Sequence, residues 1–416
     1  MVKRKLVVIG GGAAGFFCAI NAARMNTLLE VILLEKTAKL LSKVKISGGG
    51  RCNVTHALFD VAEMSKRYPR GQNFVKKTFH QFFTTDTIRW FEERGVPLKA
   101  EGDGRMFPST DDSQTIIDCL MRDANRFGVS IRMNADVKEV KRQEEQWQIT
   151  LGNEQTIAAD FVCLATGGYP KASMFDWLKS TGHHFSEPVP SLFTFNLPKH
   201  PITTLMGVSV ERAKVKIEGS KLAEEGPALI THWGLSGPAV LRLSAWGARE
   251  LAEKQYHFKA HVNWLPEHND QSAKAFFQQL RIDHPTKKMS NLNIGQLPAR
   301  LWLFLLEQSA ISADSRLTDL PAKLENTLIR HLVDYVVEVK GKTTFKEEFV
   351  TAGGVQLSEV DANTLMSKLH PDLFFAGEVL DVDGITGGFN FQHAWTSGWI
   401  VANAVAKKLN EKPGND

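Results

Sequence analysis

Six residues near the start limit this chain's fold more than any others. They are Gly10-Gly-Gly-Ala-Ala-Gly15, directly after the apolar run Leu6-Val-Val-Ile9. The spacing is G-x-G-x-x-G, and an Ala-rich helical stretch is expected to follow to about Met25. A second apolar run, Val31 to Leu34, then ends in Glu35. Strand, glycine turn, helix, strand and acid make one βαβ unit, and each part has a job. Gly10 permits the tight turn, Gly12 lets backbone approach a pyrophosphate, and Gly15 lets the helix pack on the strand. Ala13 and Ala14 open the helix, whose free N–H groups and positive dipole end favour phosphate. Glu35 can accept from ribose hydroxyls.

Two later segments favour FAD over NAD. Asp160 to Gly168 is an apolar strand ending in Ala165-Thr166-Gly167-Gly168. Leu373-Phe-Phe-Ala-Gly377-Glu378 is another, followed by Asp381, Asp383, Gly384 and Gly387-Gly388-Phe389-Asn390, and then by a helix from His393 to Ala406. A cofactor contacted from residue 10 to residue 390 must be long, and FAD spanning a sheet satisfies that.

Composition narrows the alternatives. The 416 residues suggest two or three domains. Hydrophobic residues at 43% and charged residues at 23% fit a globular protein and argue against disorder, collagen or coiled coil. The net charge of +4 neither demands nor excludes a nucleic-acid partner. Cys18, Cys52, Cys119 and Cys163 form no C-x-x-C pair. Sparse thiols fit a reducing, cytoplasmic setting, and no metal is expected. The apolar run after the basic start is too short for a signal peptide. No stretch of about 18 apolar residues occurs, so no membrane span is expected.

Ser47-Gly48-Gly-Gly50-Arg51-Cys52-Asn53 is a distinctive block. With Ala376 to Gly384 and Gly387 to Asn390 it resembles the BaiN-like, or YhiN-like, flavoproteins, the aminoacetone-oxidase-type FAD-binding group. Gly104-Arg-Met-Phe-Pro108, Thr231 to Pro238 and Val350 to Val355 are similar to further blocks of that family. The likeness runs from residue 7 to about 405.

The resemblance implies a Rossmann-like α/β domain holding non-covalent FAD, in two sequence segments. It places Gly10, Gly12, Ala14 and Gly15 at the pyrophosphate, and Glu35 and Lys36 at the adenosine ribose. Lys45, Ser47, Gly48, Gly50, Arg51, Cys52 and Asn53 would wrap the cofactor. Val137 would lie by the adenine, Glu378 at the ribityl chain, and Gly388, Phe389 and Asn390 at the flavin ring. Leu40 to Lys45 departs from the family's usual Gly-Arg-Lys, so phosphate roles for Ser42, Lys43 and Lys45 stay open. The family is associated with reduction of unsaturated steroid-like acids, dihydrouridine formation in ribosomal RNA, and amine oxidation.

The expected division is 1–190 and 345–416 for the FAD domain, 191–270 for an inserted small β domain, and 271–344 for an inserted helical domain. Pro188-Val-Pro190 marks the first boundary, and the chain returns to the FAD domain around Lys346. Expected elements include one helix from Asn73 to Glu93 and another from Asp111 to Phe127 capped by Ser109-Thr110. Val129 to Val140 reads as a strand, as does Thr203 to Val210. Asn410 to Asp416 reads as a frayed tail.

FAD performs hydride transfer, so catalytic side chains can be few. Cys52 is a candidate proton donor or adduct-forming thiol, or else a small residue packed against FAD. His232 is a candidate acid or base, or a residue holding its turn. Arg105 can steady an anionic substrate or reduced flavin, or form a salt bridge. Asp381 and Asp383 are expected to order their turn and bond the cofactor. The leading expectation is NAD(P)H-linked reduction of an activated C=C or C=N bond of a small molecule, NAD(P)H being a transient donor. Ribosomal RNA is an alternative partner, with Arg281, Lys287, Lys288, Arg300 and Lys323 available to it. Amine oxidation and a non-enzymatic redox sensor are the remaining alternatives.

Overall fold

The computed structural model describes residues 3–292, 294–295, 297–343 and 350–410. The expected tail after Asn410 and the return point near Lys346 lie outside the described residues. The chain divides into two compact units, one from 1–190 with 346–416 and one from 191–345.

The first unit is built on a five-stranded parallel sheet. Its order is Leu373–Phe375, Phe161–Leu164, Arg4–Ile9, Leu29–Leu34 and Ser130–Arg132. Leu6, Val7 and Val8 have no exposed surface, and Phe161 to Leu164 and Leu373 to Phe375 are buried throughout. Parallel strands covered on both faces need such continuous apolar runs. The first helix, Ala13–Met25, packs against the last, Phe389–Asn410. Between them lies an aromatic cluster in which Phe17 meets Phe82, Trp90 and Trp395 at centroid distances of 5.5, 4.6 and 5.3 Å. The unit also holds two three-stranded antiparallel sheets, Val137–Gln143 with Gln146–Leu151 and Thr156–Ala159, and Leu98–Ala100 with Arg105–Pro108 and Thr55–His56, and a two-stranded sheet of Phe185–Ser191 with Val350–Val355.

The second unit is a seven-stranded sheet with helices. Its order is Tyr335–Lys340, His257–Asn263, Ser209–Ile217, Ala223–Ile230, Gly234–Ser236, Thr194–Asn196 and Lys342–Thr343. Tyr335–Lys340 comes from the stretch expected to be helical, yet it pairs antiparallel with His257–Asn263. One hydrophobic cluster includes Phe193, Val215, Val262, Trp302, Leu328 and Val337. The strands of 191–270 and the helices of 271–344 therefore share a core.

Several local expectations change. Residues 73–93 form two helices, Gln72–Phe79 and Thr84–Glu92. The second starts afresh where the Asp86 carboxylate accepts from the Phe83 N–H at 2.8 Å. Val129 to Val140 is two strands in different sheets, Ser130–Arg132 and Val137–Gln143, separated by Asn134 at φ +55°. The helix Ser113–Arg126 is capped by Asp112, which accepts from Gln114 N–H at 2.9 Å, and Ser109 and Thr110 lie before it. Thr203 to Leu205 belongs to a 3₁₀ turn, and the strand begins at Ser209.

Candidate functional site

The glycine turn shows its constraint in atoms. Gly10 has φ +119°, and a Cβ there would lie 2.2 Å from the Ala165 carbonyl oxygen. The neighbouring strand end Ala165-Thr166-Gly167 is thus in backbone contact with the turn, and Ala165 N–H donates to Ile9 O at 2.8 Å. A Cβ on Gly15 would lie 1.9 Å from Gly10 O, so the helix seats directly on the turn. Gly12 is the N-cap of Ala13–Met25, no side chain caps it, and open space lies before it. An uncapped, half-exposed helix start behind a glycine turn fits a pyrophosphate.

Glu35 holds this corner. Its carboxylate accepts from Gly11 N–H at 2.9 Å and from Thr37 N–H at 2.9 Å. Ala135 N–H donates to Glu35 O at 2.8 Å, and Lys36 pairs with Asp136 at 3.4 Å. Those bonds bring Val137, the first residue of its strand, to the Glu35–Lys36 end.

Glu378 lies at the other side of the turn. Its carboxylate pairs with Lys43 Nζ at 2.5 Å and accepts from Thr351 N–H at 2.8 Å. A Cβ on Gly377 would meet the Ala14 Cβ at 2.8 Å, and one on Gly168 would meet Glu378 Oε1 at 2.8 Å. Residues 10–15, 43, 165–168 and 377–378 therefore converge, although they span most of the sequence.

The triple-glycine block is a short helix, Ser42–Gly50, interrupted at Ser47, Gly48 and Gly49. Lys45 is exposed, and its carbonyl accepts from Ser113 Oγ at 2.7 Å. Ser47 O accepts from Cys52 N–H at 2.9 Å. Arg51 sits over the Phe107 ring at 3.9 Å and pairs with Glu101 at 2.6 Å. Arg105 joins the same network, pairing with Glu101 at 2.9 Å and Asp103 at 2.7 Å. Its salt-bridge role is thus on display.

Cys52 has no exposed surface and a φ of +61°. Burial pushes its thiol up to about 12, only partly opposed by its hydrogen bond to Ser47. At neutral pH it is a protonated thiol, which suits packing or weak acidity and does not suit nucleophilic attack.

The segment before the last helix is held from many directions. Asp383 is fully buried and pairs with Arg70, whose Nε donates at 2.5 Å. It therefore braces the turn. The Asn390 amide folds back on Gly384, accepting from its N–H at 2.8 Å and donating to its carbonyl at 3.0 Å. Phe389 O accepts from Tyr68 Oη at 2.6 Å. His393 is buried in the first turns of this helix, and its Nε2 lies 3.3 Å from Gly377 O. Burial lowers its imidazole to about 4, against the Gly377 carbonyl and the Glu378 charge, so it is neutral.

His232, in the second unit, is exposed, with its ring 3.9 Å from that of Trp233. It stands in the turn closed by Thr231 N–H donating to Gly234 O at 2.8 Å.

Sequence reasoning missed His56, Tyr68, Arg70 and Gln392. Gln392 is buried, and its Oε1 accepts from Thr55 Oγ1 at 2.6 Å and Thr87 Oγ1 at 3.0 Å. No motif spacing announces these residues, because their partners lie about 300 positions away. No group of three metal-ligating side chains occurs among the described residues. No described helix is long and apolar enough to cross a membrane.

A split Rossmann-like α/β unit with a cradle for a long dinucleotide defines an FAD-dependent oxidoreductase. The profile of the HI0933-like protein Rossmann domain matches residues 4–404, and the chain belongs to that family. It is 31% identical to a 3-dehydro-bile acid delta(4,6)-reductase from Clostridium scindens, over 97% of this chain and 99% of the relative. It is also 31% identical to a ribosomal RNA dihydrouridine synthase from Escherichia coli, over 97% and 98%. Among solved structures, a 3-ketosteroid-delta4-(5alpha)-dehydrogenase from Rhodococcus jostii is similar in fold. Its TM-score is 0.50 at 12% identity, covering 97% of this chain and 98% of that one.

Proposed function

We propose that this enzyme uses NAD(P)H to reduce an activated carbon–carbon double bond, through non-covalently held FAD. One observation carries the reading. Two full-length relatives, equally similar at 31%, bear the names of a 3-dehydro-bile acid delta(4,6)-reductase and a ribosomal RNA dihydrouridine synthase. Saturating a 3-oxo-4,6-diene and saturating the uracil ring are both reductions of a C=C bond conjugated with a carbonyl. Bound FAD would supply the hydride transfer.

The chain's own residues would bind and orient. Gly12 and the first turn of Ala13–Met25 would take the pyrophosphate, and Glu35, Lys36 and Val137 the adenosine end. Thr166, Gly167 and Glu378 would line the middle, with Asn53 and Gly388 to Asn390 at the ring. Cys52 would keep the wrapping loop packed. Arg51 and Arg105, cross-linked through Glu101, would hold that loop's outer side.

A ribosomal RNA substrate is the second reading, and charge favours it. Residues 191–345 carry 19 Lys and Arg against 15 Asp and Glu, so the whole net charge of +4 lies in the insert. Within the basic group read from sequence, Arg281 pairs with Glu325 and Lys288 with Asp314.

Anaerobic mixing separates the readings. NADH or NADPH should bleach the flavin, and a conjugated enone acid or unmodified ribosomal RNA should restore its colour. Bleaching by an amine but by neither nicotinamide would overturn the reductase reading in favour of oxidation. RNA binding that weakens steeply with salt would select the RNA substrate.

A further inference from the structure

The peptide between Gly387 and Gly388 is gripped at both ends. Its carbonyl oxygen lies 2.9 Å from His56 Nδ1. Since that oxygen can only accept, Nδ1 carries the proton. Its N–H donates to the Asn53 side-chain oxygen at 3.0 Å, with the amide turned so that its nitrogen donates to Thr55 O at 3.0 Å and Met106 O at 3.3 Å. The two grips come from one strand end, three residues apart.

The surroundings fix His56 itself. Its ring stacks on Phe389 at 4.7 Å and 24°. Its backbone pairs with Arg105 in the small antiparallel sheet, and Ala57 N–H donates to Gly104 O at 2.7 Å. A Cβ on Gly104 would lie 2.5 Å from Nε2, so glycine makes the room that the ring uses. Burial keeps the imidazole below its usual value, against the Gly387 carbonyl and Asp103 and helped by Arg67 and Arg105, so it is neutral at pH 7. Gly388 is itself forced, with φ +92° and a hypothetical Cβ 2.5 Å from Thr55 O. The opposite peptide orientation would point an oxygen at the Asn53 oxygen and an N–H at the imidazole N–H.

We infer that His56 and Asn53 are a positioning pair. They lock the Gly387–Gly388 peptide in one orientation against the flavin ring, so that its polar groups cannot turn over when the ring changes charge on reduction. The inference rests on the reading that places the ring end of FAD at residues 388–390. A peptide held this way presents the same dipole to oxidised and reduced flavin and thereby sets the reduction potential.

The test uses the full chain. Asparagine places an amide nitrogen near the position of Nδ1, whereas glutamine places one near Nε2. His56→Asn should therefore keep the wild-type midpoint potential and visible spectrum of bound FAD. His56→Gln and Asn53→Ala should each displace the potential, perturb the spectrum, and weaken FAD retention about three- to tenfold, the loss expected of one hydrogen bond. Thermal melting of the FAD-free chain separates folding from positioning. The inference falls if His56→Gln shows wild-type potential and spectrum, or if His56→Asn is displaced as far as His56→Gln. Gly388→Ala serves as the control for ring placement. If it leaves the flavin spectrum unchanged, the placement itself is wrong, whatever the His56 variants do.

Discussion

Cys52 shows how far a residue's chemistry depends on its surroundings. Its place beside Arg51 leaves open either an activated thiol or a small residue packed against FAD. The fold turns the side chain inward at φ +61° and removes it from water. A buried thiol held near 12 does not ionise at neutral pH, and the other three cysteines are buried as well. Iodoacetamide at pH 8 should thus leave the native protein unlabelled and modify all four cysteines after urea unfolding. Rapid loss of one thiol in the native state, mapped to Cys52 by mass spectrometry, would contradict this. Arg105 follows the same rule. Its charge was legible, but its pairing with Glu101 and Asp103 needed the turn at residues 101–104, closed by the Glu101 N–H donating to Arg105 O at 2.8 Å.

Among elements, the turn between Gly377 and the last helix is held by contacts from several directions. The Arg70–Asp383 pair anchors it, with Asp383 fully buried and the Arg70 side chain 10% exposed. Breaking a buried ion pair by removing one partner costs up to about 3–5 kcal/mol. Asp383→Ala should lower the urea midpoint and loosen FAD binding, as the turn loses its tie to Arg70. An unchanged midpoint would show that the pair contributes nothing net. Element by element, strands with continuous apolar runs were legible, because burial on both faces imposes that pattern. Helix limits between 72 and 92 were not. The apolar periodicity passes through His80 to Phe83, while the break is made by a capping hydrogen bond from Asp86. Val129 to Val140 looks like one strand for the same reason, since which sheet a strand joins is decided by its neighbours.

For the molecule as a whole, two buried histidines tie stability to pH. Burial lowers His183 to about 4, opposed mainly by Glu359, and lowers His393 to about 4. Unfolded histidine takes up a proton near 6.5. Between those values the unfolded chain binds more protons, so stability rises with pH across this window. It is fully present above about 6.5 and falls by a few kcal/mol as the pH drops toward 4. Denaturant titrations at pH 7 and pH 5 should show the loss, and His393→Asn should reduce its slope. A flat profile between those pH values would be inconsistent with neutral buried imidazoles.

The glycine turn, its strand and its acid were written in consecutive residues, because a βαβ unit is a local object. Sterics at Gly10 and Gly15 act on atoms that the turn itself brings close, together with one neighbouring strand. From those residues alone came the α/β class and the proposed dinucleotide end of the site. The proposed ring end is of another kind. Asn53 and His56 meet Gly387 and Gly388 across more than 300 positions, and Gln392 joins Thr55 and Thr87 over a similar span. A hydrogen bond carries no signature in the spacing of its two partners. Only the packing of the last helix against the first, which brings residues 388–393 to the triple-glycine block, decides which polar groups find each other and which peptide is locked.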